Sequence, residues 1–494
     1  MDTLRLKNYR CFEDTGIVKL KPLTFLVGAN SSGKSSFLKF FPLLKQSLGV
    51  NRNGTFLWYS NDVDFKDFKN TVRNGEGDIE ICFTYACDMS FQRRKREKKG
   101  ENKELTEQNV KTKITVNLKI SAKGKNAEDY LSFLRIQYFD QDVQIEISED
   151  GNAKVKINNR DIATKFRLSL ISYQIRLISR IYEGENDVLY SAEMKTAAQL
   201  IKEELGLDKD GKQEVLDTEW NYMQDKETCF NYLRTIKPQG DVSLLNDLYI
   251  LLHLNDIIDN INFYLYNVSS NITYVRPLRV TTERYYRYQN YAVNEIDSDG
   301  KNLAMYLANL SKQQMERFRE WTSKLFNFSI FAQTHEGHVE LQIKEGEKGQ
   351  RNLVDAGFGY TQLLPIVTMI WDSLRTYRPM FYEPMYDVPK FIVIEQPELH
   401  LHPRMQAKFG AMLAKVVESE NKKNIKFIIE THSESILNSV GIQIEHEELD
   451  KDKVNVVLFN AAAEGYENYV EEAYYNERGF IDHWPTGFLS EDVY

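Results

Sequence analysis

The chain has 494 residues and, with 63 Lys plus Arg against 72 Asp plus Glu, a formal net charge of −9. Its 42% hydrophobic and 27% charged composition excludes a mainly disordered or fibrous protein, and the length leaves room for several folding units at about 100 to 200 residues each. The nearest approach to a membrane span, Leu363 to Trp371, is about half of the roughly 20 apolar residues required, so no membrane role is expected. The N-terminal residues MDTLRLKNYRCFED contain no apolar signal core. Cys11, Cys82, Cys87 and Cys229 are too scattered for a disulfide framework or a thiolate zinc site, and a reducing cytoplasm is the expected location. The acidic balance requires that any affinity for nucleic acid come from local basic clusters.

Taken in order, the first 90 residues predict short strands around one helix. Leu23 to Val27 is a compact apolar run before a glycine-rich turn, and Ser35 to Leu48 has helical length and spacing. From Asp78 to Asn158 the period becomes two, with Ile79, Ile81 and Phe83, then Ile114, Val116, Leu118 and Ile120, then Val143, Ile145 and Ile147, then Val155 and Ile157 each marking one face. Asp150-Gly151 is a hairpin signal between the last two runs, and an antiparallel sheet is expected. Between Thr164 and Leu265 the spacing turns helical. Leu168, Ile171, Ile175 and Ile178 fall on one stripe, Leu245, Leu248, Leu252, Ile258, Ile261 and Leu265 on another, and Leu200 to Leu205 ends at the cap Gly206. Strands and helices alternate again from Tyr274, with apolar strand runs at Phe391 to Ile394 and Lys426 to Ile429.

Gly28-Ala29-Asn30-Ser31-Ser32-Gly33-Lys34-Ser35 has the form GxxxxGK[ST], placed after an apolar strand and before a helix. Glycines let successive backbone N–H groups curl inward around phosphate oxygens, Lys34 reaches the β and γ phosphates, and Ser35 offers a hydroxyl to Mg²⁺. Asn30, Gly33, Lys34, Ser35 and Ser36 are the expected nucleotide contacts, and ATP is preferred because no guanine-specifying motif follows. Such a loop also needs a carboxylate at a neighbouring strand end, and Phe391-Ile392-Val393-Ile394-Glu395 supplies it, making Ser35 and Glu395 the expected metal-side residues.

The segment IEQPELHLHP resembles the Walker B and D-loop of ABC-type ATPases in the RecF, OLD and SMC-like branch. The resemblance implies an ABC-type P-loop head: a mixed central α/β sheet with flanking helices and an antiparallel β lobe. It also implies that Glu395 helps bind metal and that the next residue polarises the attacking water. Here that residue is Gln396, an amide that can orient water but cannot act as a general base, so slow hydrolysis is expected, with Glu398 as a substitute acid. Asp355-Ala356-Gly357-Phe358-Gly359-Tyr360-Thr361-Gln362 is similar to the GxGxxQ form of the ABC signature, in which Gly357, Gly359 and Gln362 would contact nucleotide held by a second protomer. The usual serine is absent, leaving its hydrogen bond to backbone N–H groups or Thr361. Ile429-Glu430-Thr431-His432-Ser433 resembles the switch segment, with His432 sensing the γ phosphate.

Tyr274 to Leu307 (YVRPLR…ERYYRY…DSDGKNLAMYL) and Ile481 to Phe488 look like parts of stand-alone bacterial AAA family ATPases with an OLD-like core. Many of these are ATPase subunits of two-gene antiphage systems such as Septu or PARIS. The resemblance implies a homodimer or higher homo-oligomer, a nuclease or toxin effector as partner, and DNA or a phage protein as trigger; a RecF-like or SMC-like DNA-repair ATPase is the alternative, and an OLD-like nuclease a third. The expected organisation is a split head, residues 1–163 and 269–494, with a helical arm at 164–268. His400-x-His402 beside Glu395 and Glu398 is read as D-loop rather than as an extra metal site. Arg93 to Lys99, with six cations in seven residues, is read as a solvated hairpin tip, with nucleic-acid or acidic-partner contact as the alternative, and Arg284-Tyr285-Tyr286-Arg287-Tyr288 as an internal connection, with nucleic-acid contact as the alternative.

Overall fold

The computed structural model describes residues 1–52, 54–90, 109–124, 128–168, 181–183, 242–252, 254–277, 279, 283–288, 293, 295–376, 388–419, 424–460 and 469–482. The basic run 93–99, Ile171 to Ile178, Leu200 to Gly206 and the terminal residues after Asp482 lie outside these. Chain contacts divide the protein into two compact units. One gathers Met1–Ile17 and Leu43–Ser270, the other Val18–Pro42, Asn271–Arg378 and Pro389–Tyr494.

The second unit is built on a seven-stranded sheet: β1 (Leu23–Gly28), β2 (Ile272–Val275), β3 (Lys390–Glu395), β4 (Ile425–Glu430), β5 (Val454–Asn460), β6 (Tyr469–Tyr475) and β7 (Ile481–Asp482). Their spatial order is β2-β3-β4-β1-β5-β6-β7. The first five pair in parallel, and β6 and β7 are added by two antiparallel pairings. Parallel strands are covered on both faces, so they read as unbroken apolar runs rather than alternating ones; β1, β3 and β4 are buried at every position. The helices that supply this unit's site are α1 (Lys34–Leu38), α2 (Phe358–Thr376), α3 (Pro403–Ser419) and α4 (Glu434–Glu445). Phe25, Ile392, Ile394, Phe427 and Ile429 of the sheet share one core with Leu363, Ile366 and Ile370 of α2, Phe409 and Leu413 of α3 and Leu437 of α4. At about 1.5 to 3 kcal/mol per buried large aliphatic side chain, that core outweighs any single polar contact in the unit. The helix expected from Ser35 to Leu48 is interrupted: α1 ends at Leu38 and a second helix runs Phe40–Leu48. Pro42 explains the break, because it has no N–H to give the carbonyl four residues back, at Leu38.

The first unit holds the expected antiparallel sheet, but larger. Among the described residues, nine of the sheet's ten strands pair in the order Ile181–Glu183, Arg160–Leu168, Asn152–Ile157, Gln141–Ile147, Glu128–Tyr138, Asn109–Lys123, Ile79–Ser90, Thr3–Tyr9 and Phe12–Asp14. Gly151, at φ 86, turns the predicted hairpin. Leu168, placed on a helical stripe by its spacing, is instead the last residue of a strand that crosses the boundary expected at 163. The residues at 242–270 are helical as their spacing predicts, in two helices, Val242–Leu252 and Leu254–Ser270. They belong to the same unit as the antiparallel sheet rather than to a free-standing arm. Tyr264 stacks on Tyr85 of the sheet at 3.8 Å, and Asp247, almost wholly buried, accepts from Asn158 Nδ2 at 2.7 Å. Among the described residues no helix is long and apolar enough to cross a membrane.

Candidate functional site

The site lies wholly within the second unit, at the carboxyl ends of β1, β3 and β4. β1 stops at Gly28, with φ 148, where an added Cβ would fall 2.0 Å from the Phe459 carbonyl of neighbouring β5. Only glycine fits this exit from the strand. The chain then turns through Ser31 (φ 63) and Gly33 (φ 103) into α1. Asn30 is exposed, while Ser32 is buried with its hydroxyl unpartnered. Lys34 is buried and its Nζ donates to the carbonyls of Gly28 at 2.9 Å and Ala29 at 2.6 Å. Burial holds its ammonium below the ordinary lysine value. The loop thus curls around its own lysine, which is the shape expected of a phosphate cradle.

Facing it are two carboxylates that the sheet brings side by side. Glu395 ends β3, Glu430 ends β4, and the two are register partners of the parallel pair. Glu395 Oε1 accepts from Tyr274 Oη at 2.6 Å, while Glu430 Oε1 accepts from Ser35 Oγ at 2.8 Å. Burial raises both carboxyls, and repulsion from Glu395 helps push Glu430 up to about 7. The loop serine therefore touches Glu430, whereas Glu395 was the acid expected on the metal side. Glu430 was legible as the end of IKFIIE, an apolar run closing in an acid just like FIVIE, but the neighbouring His432 drew the functional reading.

Glu398, expected as a substitute catalytic acid, has both oxygens engaged. Oε1 accepts from the His432 N–H at 2.6 Å and Oε2 from Thr431 Oγ1 at 2.9 Å, so Glu398 braces the switch segment. His432 is half-buried, and burial together with the Lys34 charge lowers its pKa, leaving a neutral imidazole at pH 7. Gln396 sits at φ 42 with its N–H on the Glu430 carbonyl at 2.9 Å. Arg279, from the RPLR stretch, clamps the turn: Nη2 donates to the carbonyls of Glu395 and Gln396, both at 3.3 Å. It is only 6% exposed, its Nε and Nη1 have no partner, and burial lowers the guanidinium to about 10.

The expected signature segment leads into α2. Gly357 (φ 104) requires glycine by its backbone angle, and Gly359 lies where a Cβ would meet the His400 carbonyl at 3.5 Å. Thr361 does not offer the free hydroxyl expected of it, because Oγ1 donates back to the Phe358 carbonyl at 2.7 Å inside the helix. Gln362 is buried, and its Nε2 reaches the Arg279 carbonyl at 3.4 Å. Exposed side chains at and before the segment are Val354 at 38%, Asp355, which accepts from Arg284 Nη1 at 3.0 Å, and Phe358 at 46%, the last edge-on to His400 with ring centroids 4.9 Å apart. His402 Nδ1 accepts from the Arg404 N–H at 3.2 Å at the start of α3. Among the described residues no cluster of three or more His, Cys, Asp or Glu is placed to hold an additional metal. Ser36 lies half-buried on α1, behind Ser35.

The donors present fit Mg²⁺ and a polyphosphate. Mg²⁺ takes oxygen ligands, one or two of them carboxylates, alongside substrate phosphates; here a serine hydroxyl and two crowded carboxylates meet, and Glu430 Oε2 is buried with no partner. A curled glycine-rich loop between strand and helix, opposed by acids at the ends of adjacent parallel strands, defines a P-loop nucleotide-binding head. The AAA ATPase domain family matches this chain over residues 1–437, and the chain belongs to that family. No curated protein matches it. The solved structures that align with it include two SMC head domains at low similarity. The Smc head domain of Pyrococcus furiosus, with an extended coiled coil and bound to the C-terminal domain of ScpA, is 11% identical, with 95% of each chain covered and a TM-score of 0.32. The SMC head domain of Thermotoga maritima is 12% identical, covers 95% of this chain and 97% of its own, and has a TM-score of 0.34.

Proposed function

We propose that this protein is a slow, Mg²⁺-dependent ATPase whose active form is a dimer or higher homo-oligomer. The observation that carries this reading is the meeting of Lys34 and Ser35 with Glu395, Glu430 and His432 at adjacent strand ends. On binding, Lys34 exchanges its two carbonyl partners for phosphate oxygens. Ser35 and Glu395 would hold Mg²⁺, which would supply positive charge against that developing on the phosphates. His432, neutral, has one ring N–H to give a γ-phosphate oxygen and no charge to be countered. Gln396 orients the attacking water without taking its proton, which is why turnover is slow. Arg279 and Glu398 position Gln396 and His432 respectively through backbone contacts.

The exposed Val354 and Phe358 beside Gly357 and Gly359 support a signature that closes on nucleotide held by a second copy, and the backbone N–H groups there replace the missing serine. In the cell we place this ATPase in the cytoplasm as the regulator of a partner effector, a nuclease or toxin subunit, in antiphage defence triggered by DNA or a phage protein. The support for that role is the likeness of its YVRPLR, IEQPELHLHP and ETHS segments to the ATPase subunits of two-gene systems. Mass measurement of the complex purified from its native operon, with and without Mg²⁺–ATP, tests both levels. A nucleotide-dependent multiple of 57.8 kDa plus a co-purifying effector is expected. A monomer that never changes mass with nucleotide refutes the shared site, and a clean homo-oligomer that binds DNA by itself refutes the effector role.

A further inference from the structure

We infer that Glu430 is a positioning residue for the divalent cation of this site: it accepts a hydrogen bond from the Ser35 hydroxyl, leaving the lone pairs of Oγ for the metal, and its open oxygen would accept a hydrogen bond from a water held on that metal. The inference rests on the ATP-binding reading and assigns to Glu430 a task that neither Glu395 nor Gln396 performs.

A serine hydroxyl has one proton and two lone pairs. With the proton committed to Glu430 Oε1 at 2.8 Å, what Ser35 has left to offer is acceptor character, and that is what a cation requires. A hydroxyl without such an acceptor would have to give up rotational freedom on binding to hold its lone pairs toward the cation. The second carboxylate oxygen carries the rest of the inference. Glu430 is 2% exposed, and Oε2 is fully buried with no partner. Buried carboxylate oxygens are almost always satisfied, so one left open beside a candidate metal-side hydroxyl marks a place for an incoming donor. The neighbouring acids are differently occupied. Tyr274 holds one oxygen of Glu395, and His432 N–H with Thr431 hold both of Glu398. Adjacent like charges on β3 and β4 also oppose each other, a repulsion that a bound cation would relieve. Outer partners of this kind orient the inner ligands, and losing one typically weakens metal binding about 10- to 100-fold.

The test is calorimetric titration with the non-hydrolysable analogue AMP-PNP, once with Mg²⁺ and once with EDTA, on the wild type, Glu430→Gln and Lys34→Ala. The wild type is expected to gain affinity from Mg²⁺. In Glu430→Gln that gain shrinks about 10- to 100-fold, while affinity in EDTA stays within about threefold of wild type and the thermal unfolding temperature without metal does not fall. Titration of Mn²⁺ followed by electron paramagnetic resonance should show the same weakening in the presence of nucleotide. Lys34→Ala loses affinity in both buffers. Should Glu430→Gln fail to fold, Glu430→Asp, which keeps the charge but withdraws it by a methylene, takes its place with the same expected loss. A full Mg²⁺ gain in the folded variant overturns the role of Glu430 and leaves ATP binding intact. Absence of binding by the wild type in either buffer overturns both.

Discussion

Replacing Arg279 by methionine should separate stability from function, and the structure sets the sign of each. Burial lowers the guanidinium well below its ordinary value, to about 10, which at about 1.4 kcal/mol per tenfold change is roughly 3 kcal/mol held against the charged form. The side chain is only 6% exposed, so solvent screening takes little from that figure. Against it stand two hydrogen bonds from Nη2, both long at 3.3 Å, each contributing about 1 kcal/mol. Nε and Nη1 contribute nothing, having no partner. A methionine of similar length keeps the packing and removes the cation, so the nucleotide-free protein should gain about 1 kcal/mol, or some 2 to 4 °C. Urea unfolding monitored by circular dichroism measures this. The same variant releases the Glu395 and Gln396 carbonyls, so ATP affinity should change little while the single-turnover hydrolysis rate falls by about tenfold or more, as expected when a positioning contact is lost. A loss of 2 kcal/mol or more, or wild-type turnover, would refute this account of Arg279.

Gly28→Ala should abolish nucleotide binding and destabilise the fold by several kcal/mol, since the new Cβ meets the Phe459 carbonyl at 2.0 Å; a folded variant that binds ATP normally would contradict the cradle geometry. Gln396→Glu supplies the missing general base and should raise the single-turnover rate by about 100-fold, with some loss of metal-free stability from a further acid beside Glu395 and Glu430; an unchanged rate would show that the amide is not what limits turnover. Asp129 accepts from the Thr55 N–H and Trp58 Nε1, yet burial dominates and raises its carboxyl. The folded state therefore holds that proton more tightly than the unfolded one, and Asp129 costs stability progressively as pH rises from 3.8 through its raised folded value. Asp129→Asn should flatten that part of the stability profile measured by thermal unfolding against pH.

Much of the site was legible because the P-loop is a local device: Gly28 to Ser35 form their turn within one short segment, and the run into Glu395 carries its own strand signal. What spacing alone did not reveal is cross-strand. Glu430 meets Ser35 only because β4 lies between β3 and β1, a sheet order that no single segment records. Arg279 reaches the Walker-like turn from the end of β2, and Thr361 turns its hydroxyl into its own helix, both consequences of packing. In the other unit, the strand Arg160–Leu168 runs through a boundary drawn from a change of period, because a single leucine fits a helical stripe and a strand equally well.

Whether the glycine-rich loop holds nucleotide phosphates is decided by comparing nucleotide binding by the wild type and Lys34→Ala. Lys34 is buried in a loop whose carbonyls it occupies and whose shape only a phosphate would otherwise require. Titration of Mg²⁺–ATP into the wild type should give saturable binding that Lys34→Ala, folded to the same unfolding temperature, reduces by at least about 100-fold. Equal affinity in the two proteins would contradict the account at its foundation.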